Sequence, residues 1–553
     1  MNRIVLLVTG AAIPLALSLL RFVPFPASLV SKVHAYLIDP PLLGTRHSVP
    51  VLGLAITPTR GQALFILYLI AVNVILSAVG ISSRQPHSWY PSGVTEEIIN
   101  YVANRAGVLS FANLPLLILY SGRNNVLLWL TNWSHATFLL LHRWVAVLCV
   151  LQACLHSVLW LHLHVAFYHD HNEVAAIPYW YWGIIATVAL SLMLPLSILP
   201  LRQKMYEFFH AAHIVLAILT IVGCWYHIIY RYKRQWGYET WVLVAIAVWA
   251  FEWVFRAARV ARNGVKRAYI TRVDDDYLRI DVPGVECRGH AYFYFPTVSW
   301  RVWESHPFSI AGSITTPSRA AVSDLPSPSP EDVKGAEVGT KTAIAASSSS
   351  DSADVHTVQT ATAGITLFVR IHSGITSHLA SHAGSATGIP ILIESSYGGE
   401  SKLYPDGGHA SPSAAFPNLV VVAGGVGITA VLPVVSEAQS LYKPLGTTRL
   451  YWGVREQAKG LVRSVQHILA DDGTTTVAEI GQRARWGDVD VQISIGERFD
   501  LRSIIEADVS ALNGGTTVVV CGPAGMADEV RTIVAGLGRH GATVRLVEES
   551  FAW

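Results

Sequence analysis

Two stretches of fifteen residues decide the reading: HRWVAVLCVLQACLH, residues 142–156, and HIVLAILTIVGCWYH, residues 213–227. Each begins and ends with histidine and is otherwise almost wholly apolar. At about 100° and 1.5 Å per residue, the 14-residue step from His142 to His156, or from His213 to His227, returns a helix to within roughly 40° of its starting face and advances it about 21 Å. Each pair therefore faces one way at two depths. Ionisable side chains are costly in a membrane and usually functional there, and four at matched spacing are not incidental. One further apolar run lies between the two stretches, so their helices run parallel. His142 then meets His213 at one level and His156 meets His227 at the other. Two facing imidazoles with both axial positions filled suit a six-coordinate b-type haem engaged in electron transfer. His210, 17 residues before His227, breaks the match and is read as structural.

The surrounding chain supports a membrane setting. Of its 553 residues 52% are hydrophobic and 14% charged, with a mean hydropathy of +0.40, whereas charged residues approach a quarter of an ordinary soluble chain. Apolar runs long enough to cross a bilayer, roughly 20 residues, occur near residues 4–20, 63–82, 105–121, 139–163, 181–200, 206–230 and 238–257. The 40 basic and 38 acidic residues nearly cancel and form no block of like charge, which disfavours a nucleic-acid partner. Five cysteines contain no CxxC pair, excluding a disulfide framework, a zinc ribbon and covalent c-type haem attachment. Any haem must be held by side-chain ligands alone.

With the C-terminal half in the cytosol, span parity puts the loop before residue 63 on that side and favours a retained first span over a cleaved signal peptide. Arg123, Arg202 and Lys204 then fall on cytosolic loops, whereas Arg231, Lys233 and Arg234 fall outside, a mixed charge signal. The sequon Asn132-Trp133-Ser134 falls on a cytosolic loop and is expected to carry no glycan. HSVLWLHLHVAFYHDHNE, residues 156–173, reads as a hydrated, histidine-rich external loop, with a landing site for Fe(III) or Cu(II) as the sharper alternative.

After Arg262 short β-branched segments alternate with turn residues, the pattern of an α/β region. Residues 314–362, rich in Ser, Ala, Pro and Thr, read as a disordered insertion. YFYFPTVSWRVWESHPFSIAG, residues 292–312, reads as a strand ending in His306-Pro307-Phe308-Ser309, where Phe308 and Ser309 suit a flavin. Leu419 to Val422, followed by Gly424-Gly425-Val426-Gly427-Ile428-Thr429, is a strand, a Gly-rich turn and a helix start, the setting of a dinucleotide site. VVVCGPAGM, residues 518–526, gives a second strand ending in Cys521-Gly522-Pro523.

RAGVLSFANLPLLILYSGRNN (105–125), HRW at 142 and YEFFHAAHIVLAIL (206–219) make the chain resemble the fungal ferric reductases of the ferric reductase and NADPH oxidase superfamily, from about residue 60 onward. The resemblance implies two stacked haems, on His142 and His213 at the cytosolic side and on His156 and His227 at the outer side. It makes HPFS the FAD signature of a β-barrel like that of ferredoxin-NADP reductase. In TLFVRIHSGITSHLA (366–380) it puts Gly374 and Thr376 near the FAD pyrophosphate, with Arg370 adding charge. It closes Cys521-Gly522-Pro523 over the nicotinamide and sets Arg455 against the adenosine 2′-phosphate, which favours NADPH over NADH. It also makes Phe551 and Trp553 candidates to stack on the flavin. The family's EGPYG is Glu394-Ser395-Ser396-Tyr397-Gly398 here, keeping Tyr397 and Gly398.

The expected fold is a membrane all-α helical bundle, a six-span ferric reductase core plus one N-terminal span, followed by a ferredoxin-NADP reductase-like module with a β-barrel FAD domain and an α/β NADP domain. Expected boundaries are 1–62 (first span and cytosolic loop), 63–262 (haem-binding bundle), 263–400 (FAD domain with the 314–362 insertion) and 401–553 (NADPH domain). The expected activity is a plasma-membrane metalloreductase passing electrons from cytosolic NADPH through FAD and two haems to extracellular Fe(III) chelates or siderophores, and to Cu(II), upstream of a metal permease or ferroxidase. An NADPH oxidase that uses the same wiring to reduce O2 to superoxide is the nearest rival. An inactive haem-binding membrane module or transporter is the other, and intact HPFS, GGVGIT and CGP argue against it.

Overall fold

The computed structural model describes residues 2–53, 55–318, 360–397, 411–440, 445–470 and 483–549. Among these, seven helices are long and apolar enough to cross a membrane: α1 (Asn2–Leu19), α2 (Arg60–Ala78), α3 (Val94–Ser121), α4 (His135–His162), α5 (Pro178–Leu196), α6 (Tyr206–Tyr232) and α7 (Glu239–Asn263). Their starts carry local signals. Thr59 and Gln62 cap α2 reciprocally, the Gln62 amide donating to the Thr59 hydroxyl and the Thr59 amide to Gln62 Oε1 at 3.0 Å. The Ser134 hydroxyl accepts from the Thr137 amide at 3.2 Å to open α4, and Pro178 opens α5, where its missing N–H costs nothing.

Buried amides tie the helices together inside the apolar layer. Asn113 on α3 donates to Asn73 on α2 (2.8 Å) and to Gln152 on α4 (2.9 Å), and Gln152 donates back to Asn73 (3.0 Å), the interhelical bonding that apolar surroundings favour. The Tyr120 hydroxyl on α3 donates to the Gly10 carbonyl at 2.8 Å, so α1 is built into the bundle.

Two sheets follow. The first contains β1 (Val265–Arg272), β2 (Tyr277–Pro283), β3 (His290–Tyr294), β4 (His306–Ser309), β5 (Gly312–Ser318), β6 (Thr360–Arg370) and β7 (Ile389–Tyr397). Its order is β4-β3-β7-β1-β2-β6-β5 and its pairs are antiparallel. The two edge strands, β4 and β5, are joined by only Ile310 and Ala311, and the Ala311 amide donates to Thr366 O on β6 at 2.9 Å. The sheet therefore curls until its edges meet, a barrel around Leu278, Phe293 and Ile391. Residues 292–312 form not one strand but β3, a loop and β4, with Phe293 opposite His306. The expected insertion is also shorter at both ends. Residues 314–318 pair with 360–364 because the β-branched Ile314, Thr315 and Thr316 continue the β5 ladder; residues 319–359 lie outside the described residues.

The second sheet contains β8 (Asn418–Gly424), β9 (Thr448–Val454), β10 (Arg483–Trp486), β11 (Val489–Ile495), β12 (Thr516–Cys521) and β13 (Val544–Glu548), ordered β10-β11-β9-β8-β12-β13. All its pairs are parallel except β10 with β11. Every residue from Asn418 to Ala423 and from Thr516 to Cys521 is buried, as strands covered on both faces must be. The α-helices described in this half are α8 (Ile375–Ala380, between β6 and β7), α9 (Ile428–Ser440), α10 (Lys459–Ala470), α11 (Leu501–Ala511) and α12 (Ala524–Arg539).

The loop between α1 and α2 lies on the second sheet. Asp528 on α12 accepts backbone bonds from His47 (2.9 Å), Ser48 (2.7 Å) and Val49 (3.0 Å). Ser31 brackets Val544 at the edge strand β13, donating to its carbonyl at 2.8 Å and accepting from its amide at 2.9 Å. At the same end Arg123, just after α3, meets Glu394 on β7 at 3.4 Å. The loops after α1 and α3 and the end of α7 thus share one side of the bundle with both sheets.

Candidate functional site

Both histidine pairs form as the helical spacing requires. His142 and His213 have ring centroids 6.3 Å apart, and His156 and His227 6.1 Å apart. Two metal–nitrogen bonds of about 2 Å, plus about 1.1 Å from each nitrogen to its ring centre, span roughly 6 Å, so the separations fit a metal held between the rings. The seventh residues past the starts of α4 and α6 are His142 and His213, which puts that pair at the end of the bundle nearer the sheets and the other at the far end.

The other ring nitrogens explain the orientation. His142 Nδ1 lies 2.9 Å from Leu117 O, His156 Nδ1 2.8 Å from Ala103 O and His227 Nδ1 2.8 Å from Tyr179 O. Carbonyls only accept, so each Nδ1 carries the proton and leaves Nε2 with its lone pair toward the partner ring. Leu117 and Ala103 are themselves 14 residues apart on α3, which runs antiparallel to α4 and matches its histidine spacing. His213 differs: its Nδ1 is buried with no hydrogen-bond partner among the described residues. Two glycines make room at the far level. A Cβ on Gly107 would stand 2.5 Å from His156 Nδ1, and one on Gly183 2.7 Å from His227 Nδ1. Between these rings opens a cavity of about 420 Å³.

The expected external loop after His156 is largely ordered helix. α4 continues to His162 and then widens, with the Tyr168 amide donating to Leu163 O at 3.0 Å. His164 is thereby turned inward, buried against Trp160 and Trp180 and 2.7 Å from Asp170 Oδ1. No group of three or more His, Cys, Asp or Glu that could hold a metal occurs among the described residues, and His162, His164, His169, Asp170 and His171 form no such group.

On the barrel, His306, Pro307, Phe308 and Ser309 lie together on β4, all half-buried. Gly374 has φ of +94°, a conformation that favours glycine, and begins α8; Thr376 is held by His372, whose amide donates to its hydroxyl at 2.8 Å. Arg370 ends β6 opposite Tyr277. In the second sheet, chain order reverses beside β8, which puts the β8 and β12 ends at the switch point where α/β sheets take ligands. The two turns there are pressed together: a Cβ on Gly424 would meet Pro523 at 2.7 Å, and one on Gly427 would meet Cys521 O at 2.4 Å. Ile428 and Thr429 open α9, and Arg455 is exposed at the end of β9, next to β8. Burial pushes the Cys521 thiol up to about 12, with Glu549 and Glu548 adding to the effect, so this cysteine is a neutral contact. Gly398, Phe551 and Trp553 lie outside the described residues.

Sequence reading missed three features. Tyr277 bridges the two sheets, its hydroxyl 3.2 Å from where a Cβ on Gly425 would be; burial raises its phenol, and the positive charges of Arg370 and Arg455 oppose that rise. Tyr397 is buried rather than open, its hydroxyl bonded to Glu394 and 3.3 Å from Asn124. Glu394 itself is fully buried between Arg123 and Arg256, each at 3.4 Å, with the Tyr294 hydroxyl at 2.8 Å. The motif that contains Glu394 and Tyr397 does not reveal the cluster, because Arg256, Arg123 and Tyr294 come from α7, the loop after α3 and β3.

Residues 106–224 match the family described as ferric reductase like transmembrane component, and residues 421–532 match the oxidoreductase NAD-binding domain. A probable ferric reductase transmembrane component of Candida albicans is 29% identical over 414 residues, covering 72% of this chain and 51% of that protein. Ferric reductase transmembrane component 3 of Saccharomyces cerevisiae is 31% identical over 308 residues, covering 52% of this chain and 41% of that protein. The chain spans about half the length of the curated relatives it matches. Among solved structures, a flavohemoglobin from Malassezia yamatoensis with bound FAD and heme aligns over 82% of this chain and 98% of its own at 13% identity and a TM-score of 0.33, too low to argue from. The chain is thus similar to the fungal ferric reductase transmembrane components, matching a ferric reductase like transmembrane component and, after it, an oxidoreductase NAD-binding domain.

Proposed function

We propose that the chain is a transmembrane metalloreductase that takes electrons from cytosolic NADPH and delivers them to Fe(III) chelates, and to Cu(II), on the other side of the membrane. The observation that carries this reading is the pair of facing histidines at each of two levels, about 21 Å apart along parallel helices, in a layer roughly 30 Å thick. Bound haem would supply one-electron transfer at each level, and FAD would split the electron pair of NADPH into single electrons.

The chain's own residues do the rest. His142 and His213 would hold a haem near the sheets, and His156 and His227 one near the far face. The carbonyls of Leu117, Ala103 and Tyr179 fix which nitrogen each ring presents. Phe308 and Ser309 on β4 would seat the flavin, with Gly374 and Thr376 toward its pyrophosphate and Arg370 contributing positive charge. The turn Gly424-Gly425-Val426-Gly427 lets the NADPH backbone approach β8, Arg455 takes the 2′-phosphate, and Cys521-Gly522-Pro523 borders the nicotinamide. No side chain is required as acid or base toward the metal. The sheets sit on the cytosolic side in this reading, and the protein works at the plasma membrane.

The test is NADPH-supported Fe(II) formation from an Fe(III) chelate in FAD-supplemented membranes under nitrogen, with His156→Ala as control. Activity that persists without oxygen and disappears in the variant is expected. Fe(II) that forms only in air and is abolished by superoxide dismutase would instead make the protein an oxidase.

A further inference from the structure

The cavity between His156 and His227 has an uneven charge. Among the described residues that line it, Arg231 is the one permanently charged side chain and no carboxylate is present. Arg231 is exposed, one helical turn beyond His227 on the same face of α6. Its guanidinium lies 5.1 Å from the Tyr179 ring centre and 5.7 Å from that of Tyr232, and it forms no ion pair among the described residues. Two rings, and not an acid, therefore orient it. Tyr179 is in turn fixed, since its carbonyl accepts from His227.

His171 lines the same cavity, its ring 5.8 Å from that of Trp180, and its Nδ1 is buried with no hydrogen-bond partner among the described residues. The acid beside it in sequence, Asp170, is already taken by His164 at 2.7 Å. A planar guanidinium presents parallel donors matched to a carboxylate, and an unpaired buried imidazole nitrogen is costly unless something bonds to it. Both needs are met by one ligand chemistry.

We propose that Arg231 and His171 form a carboxylate-binding site at the outer mouth of this cavity. The carboxylate belongs either to an incoming ferric chelate of the citrate type or to the side chains of a haem held by His156 and His227; the inference rests on the metalloreductase reading for that haem and for the chelate's role. In the first case the site draws anionic chelates to the point of electron delivery. In the second it anchors the outer haem by its edge.

The test uses the full chain in detergent and gallium(III) citrate, a redox-inert stand-in for the ferric complex, titrated by calorimetry. The chelate source predicts binding to the wild-type chain and about tenfold weaker binding to Arg231→Gln, a loss of the size expected for one charged hydrogen bond, with a smaller loss in His171→Ala. Arg231→Lys, which keeps the charge and loses the fork, falls between. The haem source predicts instead unchanged gallium citrate titrations, with a lowered haem-to-protein ratio or a shifted outer-haem midpoint potential in Arg231→Gln. Identical titrations, haem content and potential in wild type and variants would overturn the inference. Calorimetry needs no electron transfer, so gallium citrate binding through Arg231 in a chain that never reduces iron would sink the metalloreductase reading alone.

Discussion

The two ends of the helix bundle hold equally spaced histidines by unequal means. At the far end both rings of the His156 and His227 pair are anchored, by Ala103 O and Tyr179 O, and each rests against a glycine. At the sheet end only His142 has such an anchor, while His213 Nδ1 has no partner. Charge differs in the opposite sense. The sheet end buries Glu394 between two arginines, and the far end leaves Arg231 without an acid among the described residues. Equal spacing along one helix therefore fixes where a ring is, while the support it receives is decided by other helices.

The strongest way to break this comparison is Gly107→Ala. Its methyl would lie 2.5 Å from His156 Nδ1, well inside contact, and His156 cannot retreat without losing Ala103 O. Haem per chain, read by absorbance of the purified protein, should fall toward half, with the His142 and His213 level intact. Equal loss at both levels would show that the glycine serves folding and not the outer pair.

At the other end the decisive change is Glu394→Gln. Removing one partner of a buried ion cluster costs about 3–5 kcal/mol, because the remaining charges stay buried. Arg123 on the bundle and Arg256 on α7 would both be left facing a neutral amide, so the loss should appear as earlier thermal unfolding and faster proteolysis where α7 meets β1. An unchanged melting temperature would mean that the barrel is held to the bundle by other contacts.

A third change should leave both ends alone. In Gly427→Ala the new methyl would stand 2.4 Å from Cys521 O, forcing apart the two turns at the switch point. The KM for NADPH should rise about tenfold, the equivalent of roughly 1.4 kcal/mol, with haem and flavin content unchanged.

The smallest effect is a pH dependence that belongs to the sheets. Burial raises the Glu549 carboxyl from its ordinary 4.5 to about 7. The folded state thus holds that proton more tightly than the unfolded chain. The associated stability is complete below about pH 4.5 and is lost as the pH rises through 7. Thermal melts between pH 5 and 8 should therefore slope downward in the wild type, and Glu549→Gln should flatten the slope. An unaltered slope in the variant would assign the dependence to another group.

The chain itself determined the seven helices, the pairing of His142 with His213 and His156 with His227, and the strand, turn and helix around Gly424. Each of these follows from a period within one segment, and the regular rise and twist of a helix converts spacing directly into position. Contacts between segments were not legible. The 156–173 segment looked like a hydrated loop because it is rich in histidine, yet α4 continues through it and buries His164. Residues 314–318 looked like part of a low-complexity insertion, yet β6 was available to pair with them. Gly107 and Gly183 read as ordinary small residues in apolar helices until α4 and α6 were packed against them. Glu394 joins Arg123 and Arg256 across more than 130 residues of chain, and Arg231 and His171 line one cavity only because α5 folds back between them. Such sites depend on which surfaces face each other, and only the packing of the whole chain decides that.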